Sequence, residues 1–353
     1  MMNDKQQYFI RQLSAKKGEL AAKITDLHFN ENPELDKKYG EQGREKCRED
    51  AIYHLNYLIE ALQIESPELF YHYLEWAWHM LDARNIPIDD LVNNISYIKE
   101  VISREFAEDE VEMALSYLES GAEHLENLEP EIESYLLPDQ PLSHEAKQYL
   151  NYLLKGKRDQ AARLIDKLVD KGTAIEDIYE HIFQATQYEV GFLWQRNEIT
   201  VAHEHYCTAA TQLIMSRLYP QIFSGEKNGL KLIACSVASE LHEIGIRMVS
   251  DFFEMDGWDT YYMGSNMPED HLLQSLREHD ANMLAISVTL PIHINRVESI
   301  IRNVRDKPEF RDLRIMAGGY PFGIIPGLTE KVGADATALN ARQAILKANE
   351  MVN

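Results

Sequence analysis

The last 125 residues alternate short strand-like runs with amphipathic stretches, and this alternation limits the folds open to the chain. The strand-like runs predict five strands, at 230–237, 258–263, 283–290, 313–317 and 334–338. The stretches between and after them predict helices, near 244–256, 269–280, 293–306, 322–331 and 341–351. Because strands joined through helices run parallel, residues 229–353 are predicted to form a flavodoxin-like, doubly wound sheet.

A histidine follows the first predicted strand, in the segment Ser-Glu-Leu-His-Glu-Ile-Gly at 239–245. His242 is therefore expected at the carboxyl edge of the sheet, where open α/β folds bind ligands. A neutral imidazole there is a good ligand for a transition metal, and Glu240 or Glu243 could fix its tautomer. The alternative is a solvated loop histidine.

Two further loops are expected at the same edge as His242. Ser287 ends the third predicted strand, and Gly318-Gly319 ends the fourth. Together with Glu240, His242 and Gly245, these positions resemble the cobalamin-binding domain shared by methionine synthase, corrinoid methyl carriers, mutases and cobalamin photoreceptors.

The resemblance implies a role for each of these positions. His242 would replace the dimethylbenzimidazole as lower cobalt ligand, with the displaced nucleotide tail entering the sheet. Ser287 would hydrogen-bond a buried base nitrogen, and Gly318-Gly319 would leave room for the tail. One departure is Thr289, which stands where the family usually has leucine in Ser-x-Leu.

Residues 143–224 predict a four-helix up-down bundle that resembles the helical cap over the upper face of cobalamin. Within it, nine residues separate Trp194 from Glu204-His205. This spacing resembles adenosylcobalamin-dependent photoreceptor regulators, which implies that Trp194 packs against the adenosyl group and that Glu204 and His205 contact it. Methyl carriers usually have aspartate where Glu240 stands and lack this set. Taken singly, Trp194 is a core residue and Glu204 a surface charge.

The chain departs from those photoreceptors beside Trp194. There a histidine follows the tryptophan and captures cobalt after light breaks the cobalt–carbon bond, whereas Gln195 follows Trp194 here. A carboxamide is a poor cobalt ligand. A bis-histidine photoproduct would therefore require His203 or His205 to move in.

Residues 1–128 predict a bundle of five or six helices, for which a globin-like arrangement is one option, and residues 129–142 predict a linker with three prolines. The predicted helix at 68–81 is rich in aromatic residues that cannot all face one core. They form either an aromatic core with a dimer face or a pocket for a flat ligand beside His72 or His79. The order of domains resembles photocobilin-type proteins, which implies biliverdin or another tetrapyrrole in this domain.

The formal charge of −23 argues against nucleic acid as a partner, because no basic patch offers to neutralise phosphates. Residues 51–142 hold 20 acidic and 3 basic residues, most simply a solvated face. Three scattered cysteines fit a reducing cytoplasm, and no run is long and apolar enough for a membrane span. We therefore expect a cytoplasmic protein that binds neither DNA nor membrane.

The sequence thus predicts an adenosylcobalamin-binding, light-responsive regulator that is not by itself an enzyme. Light would release the adenosyl contact of the cap, and the signal would pass through the N-terminal domain to a protein partner or change the state of a homo-oligomer. The alternative is a corrinoid carrier that passes methyl groups between methyltransferases. A cobalamin storage or delivery module is a third hypothesis.

Overall fold

The computed structural model describes residues 4–128 and 134–352, and the chain divides into two compact units, Met1–Pro130 and Glu131–Asn353. The predicted linker at 129–142 falls at this division, and its residues 129–133 lie outside the described part. Each unit buries apolar side chains of its own. Within the described ranges, no helix has the length and apolarity needed to cross a membrane.

The first unit is helical, as the sequence predicts. Its described helices are α1 (Asp4–Glu31), α2 (Glu34–Gln63), α3 (Pro67–Asp82), α4 (Ile88–Glu105) and α5 (Glu108–Glu126). Helix α4 shows how the pattern works: Leu91, Ile95, Ile98 and Ile102 recur on one side, and all are buried. A globin-like arrangement of these helices stays a prediction.

The aromatic side chains of α3 divide between the interior and the surface. Tyr73 is buried, its ring stacks on Tyr57 with centroids 3.7 Å apart, and its hydroxyl lies 2.8 Å from His54 Nδ1. Tyr71 stacks on His124, and Trp76 is exposed. Neighbouring protein rings therefore account for several of the aromatic side chains that the sequence left open to a flat ligand.

The second unit begins with a helical cap. Its described helices are α6 (Ser143–Leu154), α7 (Arg158–Asp170), α8 (Ile175–Ile178), α9 (Ala185–Gln195), α10 (Val201–Ser216) and α11 (Tyr219–Ile222). A π-helical segment, Tyr179–Gln184, joins α8 to α9, so these elements form one continuous helical rod. The cap core is built around buried Tyr149, Tyr179 and Phe183.

The rest of the unit is a parallel sheet flanked by helices. The described strands are β1 (Lys231–Ser236), β2 (Asp259–Tyr262), β3 (Met283–Ser287) and β4 (Arg314–Gly318). The helices are α12 (Ile244–Met255), α13 (Glu269–His279), α14 (Ile294–Arg305), α15 (Tyr320–Ile324), α16 (Leu328–Val332) and α17 (Ala341–Val352), with 3-10 turns at Pro291–His293 and Pro308–Phe310. The strand order β2-β1-β3-β4 confirms the predicted doubly wound fold.

The predicted fifth strand at 334–338 is wrong as a strand. Ala336 forms only an isolated parallel bridge to Met316 of β4. The Asp335 carboxylate accepts the backbone N–H of Ile315 at 2.6 Å and also pairs with Arg305. Because a side chain takes this N–H, the ladder beside β4 is not extended.

The cap packs on α12 through an apolar contact that contains a buried polar cluster. The Tyr179 hydroxyl donates to Asp251 Oδ2 at 2.7 Å. Arg247 donates to Ser216 Oγ at 2.7 Å and to the Gln212 carbonyl at 3.2 Å. Burial raises the pKa of Asp251 to about 6, although the hydrogen bond from Tyr179 and the charge of Arg247 oppose the shift. The cluster therefore contains a carboxyl group that would be more stable uncharged.

We expect Asp251→Asn to stabilise the protein at neutral pH. Because the folded-state pKa exceeds the ordinary value of 3.8, the native state favours the protonated acid, and stability falls as pH rises from about 4 to about 6. Asparagine keeps an acceptor for Tyr179 without the charge, so the gain above pH 6 is at most about 3 kcal/mol. Urea unfolding across this pH range measures it, with exposed Asp312→Asn as control. An unchanged pH profile in Asp251→Asn would contradict the assignment.

Candidate functional site

The carboxyl edge of the sheet brings three loop-forming residues into one row. Ser236 of β1 pairs in register with Ser287 of β3, and Ser287 pairs with Gly318 of β4. Strand order reverses between β1 and β3, because β2 lies on one side of β1 and β3 on the other. The row therefore spans the topological switch point, where this fold class binds its ligands.

His242 is held in this region by Glu240, as the sequence predicted for one of its two acidic neighbours. Its ring Nδ1 lies 2.5 Å from Glu240 Oε1, and its backbone N–H donates to the same oxygen at 3.0 Å. The His242 carbonyl accepts from Ser236 Oγ at 2.8 Å. Glu243 instead points toward the cap, where Gln212 Nε2 donates to it at 2.6 Å.

Glu240 also connects the loop after β1, in which it lies, to the loop after β3. Its second oxygen, Oε2, accepts the backbone N–H groups of Thr289 and Leu290, each at 2.8 Å, and lies 3.4 Å from His293 Nδ1. The side chain is completely buried. Burial alone would raise the pKa of Glu240, but the hydrogen bonds from His242, His293 and the backbone outweigh it and hold the pKa well below its usual range.

The paired carboxylate fixes the state of the His242 ring. The hydrogen bond to Glu240 raises the pKa of His242 against the opposing effect of burial, and the charges of Glu240 and Glu204 add to the rise. A carboxylate accepts hydrogen bonds only, so the neutral ring carries its proton on Nδ1. The lone pair then lies on Nε2, and the side chain is 57% exposed. This carboxylate–histidine pair suits a metal ligand.

Of the three glycines predicted at the site, Gly245, Gly318 and Gly319, only Gly319 stands where the fold leaves no room for a side chain. Gly319 has a φ of +110°, and a Cβ there would lie 1.9 Å from the Val288 carbonyl oxygen. At Gly318 the nearest atom to such a Cβ would be 3.9 Å away, and at Gly245 nothing lies within 4 Å. The space beside Gly245 and Gly318 is compatible with a bulky group at this edge. The imidazole nitrogen Nε2 of His242 is a ligand atom that suits cobalt.

Two of the three cap residues of the predicted adenosyl contact pair with each other. Glu204 and His205, in the first turns of α10, pair through Glu204 Oε2 and His205 Nδ1, and Glu204 also accepts from Thr208 Oγ1 at 3.0 Å. Trp194, near the end of α9, is half-buried. His205 is largely exposed, whereas Glu204 is close enough to influence His242.

Sequence reasoning missed two residues of this site, Ser236 and His293. His293 ends the 3-10 turn Pro291–His293 and is buried behind Glu240. The position of a histidine a few residues after the end of β3 could have indicated a residue of this site. Thr289, which stands at the family's usual leucine position, contacts Glu240 through its backbone N–H.

Comparisons with known proteins match the second unit. Residues 145–219 and 230–346 match two family models, each described as a B12 binding domain. The dimethylamine corrinoid protein of Methanosarcina barkeri is 25% identical over 203 residues, which are 57% of this chain and 93% of that protein. Dimethylamine corrinoid protein 3 of Methanosarcina acetivorans is 25% identical over 178 residues, or 50% of this chain and 83% of that protein.

A solved structure, that of the Methanosarcina barkeri monomethylamine corrinoid protein, has a similar fold over part of this chain. It superposes with a TM-score of 0.53 at 20% identity, and covers 60% of this chain and 99% of that chain. This likeness confirms the combination of a helical region with a parallel, Rossmann-like sheet.

The prediction of a light-responsive regulator is wrong, because the similar proteins are methylamine corrinoid proteins and not photoreceptors. The photoreceptor subtype, signal transduction and biliverdin fall with it. The prediction rested on Trp194, Glu204 and His205. Glu204 pairs with its own neighbour, and these residues by themselves do not determine which group sits above cobalt.

The cobalamin-binding part of the prediction is confirmed. The two matched models together span more than half of the 353 residues and cover both the cap and the sheet. The chain is a cobalamin-binding protein whose cap and sheet each match a B12 binding domain.

Proposed function

We propose that this chain is a corrinoid carrier protein of a methyltransferase system. The observation that carries the proposal is the similarity to dimethylamine corrinoid proteins, which runs through 83–93% of their length. Glu240 in place of aspartate and the Trp194, Glu204 and His205 set argued against a carrier. Those are four positions, whereas the similarity spans a cap and a sheet domain.

The residues of the sheet edge would hold the cofactor from below. Bound cobalamin supplies a cobalt centre that accepts and donates a methyl group. His242 would present Nε2 to the metal, while Glu240 orients the ring and keeps the proton on Nδ1. Ser287, Gly318, Gly319 and the backbone of Thr289 would receive the nucleotide tail, and Gly245 would let the corrin approach the first turn of α12.

The proposed carrier is not by itself an enzyme, which agrees with relatives named as corrinoid proteins. It requires a methyltransferase as protein partner, and the transferred group makes methyl, not adenosyl, the working upper ligand. We also propose a cytoplasmic location, a homo-oligomer, and contact with a protein partner through the acidic N-terminal unit. Residues 143–224 and 229–353 would act together as cap and cofactor domain.

The proposal predicts methyl transfer that depends on a second protein. The full chain is loaded with cobalamin carrying an isotope-labelled methyl group and mixed with a methylamine methyltransferase and an unlabelled amine as methyl acceptor. We expect label to move between the chain and the amine only when that enzyme is present. A carrier also gives the same size-exclusion profile in the dark and after green light.

The matched control is His242→Ala. Loss of the imidazole should remove the nitrogen splitting from the electron paramagnetic resonance spectrum of the bound cobalt(II) form and weaken retention of cobalamin about 10- to 100-fold. Label that stays on the wild-type chain with every methyltransferase tested would contradict the carrier function. An unchanged His242→Ala spectrum would contradict the cobalt ligand instead.

A further inference from the structure

Three polar side chains from separate helices meet inside the first unit, in a cluster that no cobalamin role requires. They are His28 of α1, Cys47 of α2 and Asn94 of α4. Cys47 Sγ lies 3.6 Å from His28 Nδ1, and Asn94 Nδ2 lies 3.4 Å from His28 Nδ1 and 3.8 Å from Cys47 Sγ. Cys47 Sγ, His28 Nδ1 and Asn94 Nδ2 thus form a nearly equilateral triangle.

The triangle has the dimensions of one face of a tetrahedral metal site. With metal–sulfur, metal–nitrogen and metal–oxygen bonds of about 2.3, 2.1 and 2.1 Å, ligand atoms of a tetrahedral ion lie roughly 3.4–3.6 Å apart. Two sides of the observed triangle fall in this range, and the third exceeds it by about 0.2 Å, within the usual tolerance for a metal site. A small adjustment of the Asn94 side chain would close the difference.

Asn94 gives an independent sign that the cluster lacks a partner for one of its polar atoms. The residue is 95% buried, and its Oδ1 is a buried oxygen with no hydrogen-bond partner. Leaving such an acceptor unsatisfied costs about 1–3 kcal/mol. A half-turn of the amide exchanges Oδ1 with Nδ2 at almost no change in shape, which brings the oxygen to the point of the triangle where a cation would need it.

Access and ligand chemistry narrow the kind of ion. His28 and Asn94 are buried, but Cys47 is only half-buried, so an ion has a path to the sulfur. The third polar group of the cluster is the Asn94 amide, because within residues 4–128 and 134–352 no three His, Cys, Asp or Glu side chains are grouped as a metal site. One thiolate, one imidazole and one amide oxygen suit a borderline ion such as Zn²⁺ and leave a fourth position for water.

We propose that His28, Cys47 and Asn94 bind one Zn²⁺-type divalent ion in the N-terminal unit, independently of the cobalamin site. Binding replaces the Cys47 S–H bond with a metal–sulfur bond, and the proton goes to solvent. The ion joins α1, α2 and α4, so it stabilises this unit in proportion to how tightly it binds the folded state.

The test uses Co²⁺ as a spectroscopic substitute for Zn²⁺ on the full-length chain, reduced and free of cobalamin. A His242→Ala background keeps the cobalamin histidine from contributing. We expect one Co²⁺ per chain with a thiolate-to-cobalt charge-transfer band that Zn²⁺ abolishes, and a higher Tm with Zn²⁺. Cys47→Ser should remove the band, and His28→Ala and Asn94→Ala should each weaken binding about tenfold or more.

The other two cysteines provide matched controls, because Cys207 and Cys235 are free and buried in the second unit. Cys207→Ala and Cys235→Ala should leave the Co²⁺ band unchanged. Circular dichroism identifies any variant that fails to fold, and Cys47→Ser changes only the sulfur. A folded wild-type chain that binds no Co²⁺, or a Co²⁺ band that survives in Cys47→Ser, would overturn the proposal.

Discussion

Gly319→Ala is expected to lower the free energy of unfolding of the cobalamin-free chain by about 3–5 kcal/mol. The added Cβ would lie 1.9 Å from the Val288 carbonyl oxygen, a distance that requires the backbone to move. The φ of +110° adds strain for any residue with a side chain. Because Val288 belongs to the loop that contacts Glu240, the substitution should also distort the surroundings of His242. Urea unfolding and cobalamin titration measure the two effects.

Gly318→Ala is the matched control for this substitution. It adds the same methyl group one residue earlier, where the nearest atom would be 3.9 Å from the Cβ. We expect its unfolding free energy to stay within about 1 kcal/mol of wild type. Similar losses in the two variants would show that the double glycine matters for some reason other than the contact with Val288.

Glu240→Ala is the second substitution with a large expected effect, about 3–5 kcal/mol in the same unfolding measurement. It removes the acceptor for the backbone N–H groups of Thr289 and Leu290 and for the ring of His242. The two backbone donors would stay buried without a partner. With the ring no longer oriented, cobalamin affinity should also fall about 10- to 100-fold.

A graded series separates the charge of Glu240 from its shape. Glu240→Gln keeps the volume but replaces one accepting oxygen with a donor, so its loss should lie between those of Glu240→Ala and wild type. His293→Gln removes the imidazole that makes the longest contact, 3.4 Å, while keeping a polar side chain at this buried position, and should cost least. Exposed Glu226→Ala should have no effect. Equal stability of wild type and Glu240→Ala would show that water replaces the lost acceptor.

Periodicity and spacing in the sequence were sufficient for the fold and for the centre of the site. Four of the five predicted strands and the doubly wound fold class follow from apolar runs alternating with helical stretches. The rule that ligands bind at the carboxyl edge then directs attention to His242 and its acidic neighbours. The fifth strand failed because Asp335 takes the N–H of Ile315 through its side chain. A propensity pattern contains no information on that contact.

The biological role could not be predicted for a different reason. Trp194, Glu204 and His205 lie on the cap, and their spacing along two helices does not determine which group is carried above cobalt. The role of His293 comes from its contact with Glu240 across the switch point, between positions 53 residues apart in the chain. Ser236 lies only 6 residues before His242, but the bond from its hydroxyl to the His242 carbonyl follows from how the loop folds and not from residue spacing.

The double attachment of Glu240, to the loop after β1 and to the loop after β3, has a consequence for the kinetics of binding. The ring of His242 already occupies a defined orientation in the free protein, so the entropy of ordering it is lost during folding and not on encounter with the ligand. For the ligation proposed above, such preorganisation would make release of the nucleotide tail from cobalt the slow part of cofactor capture.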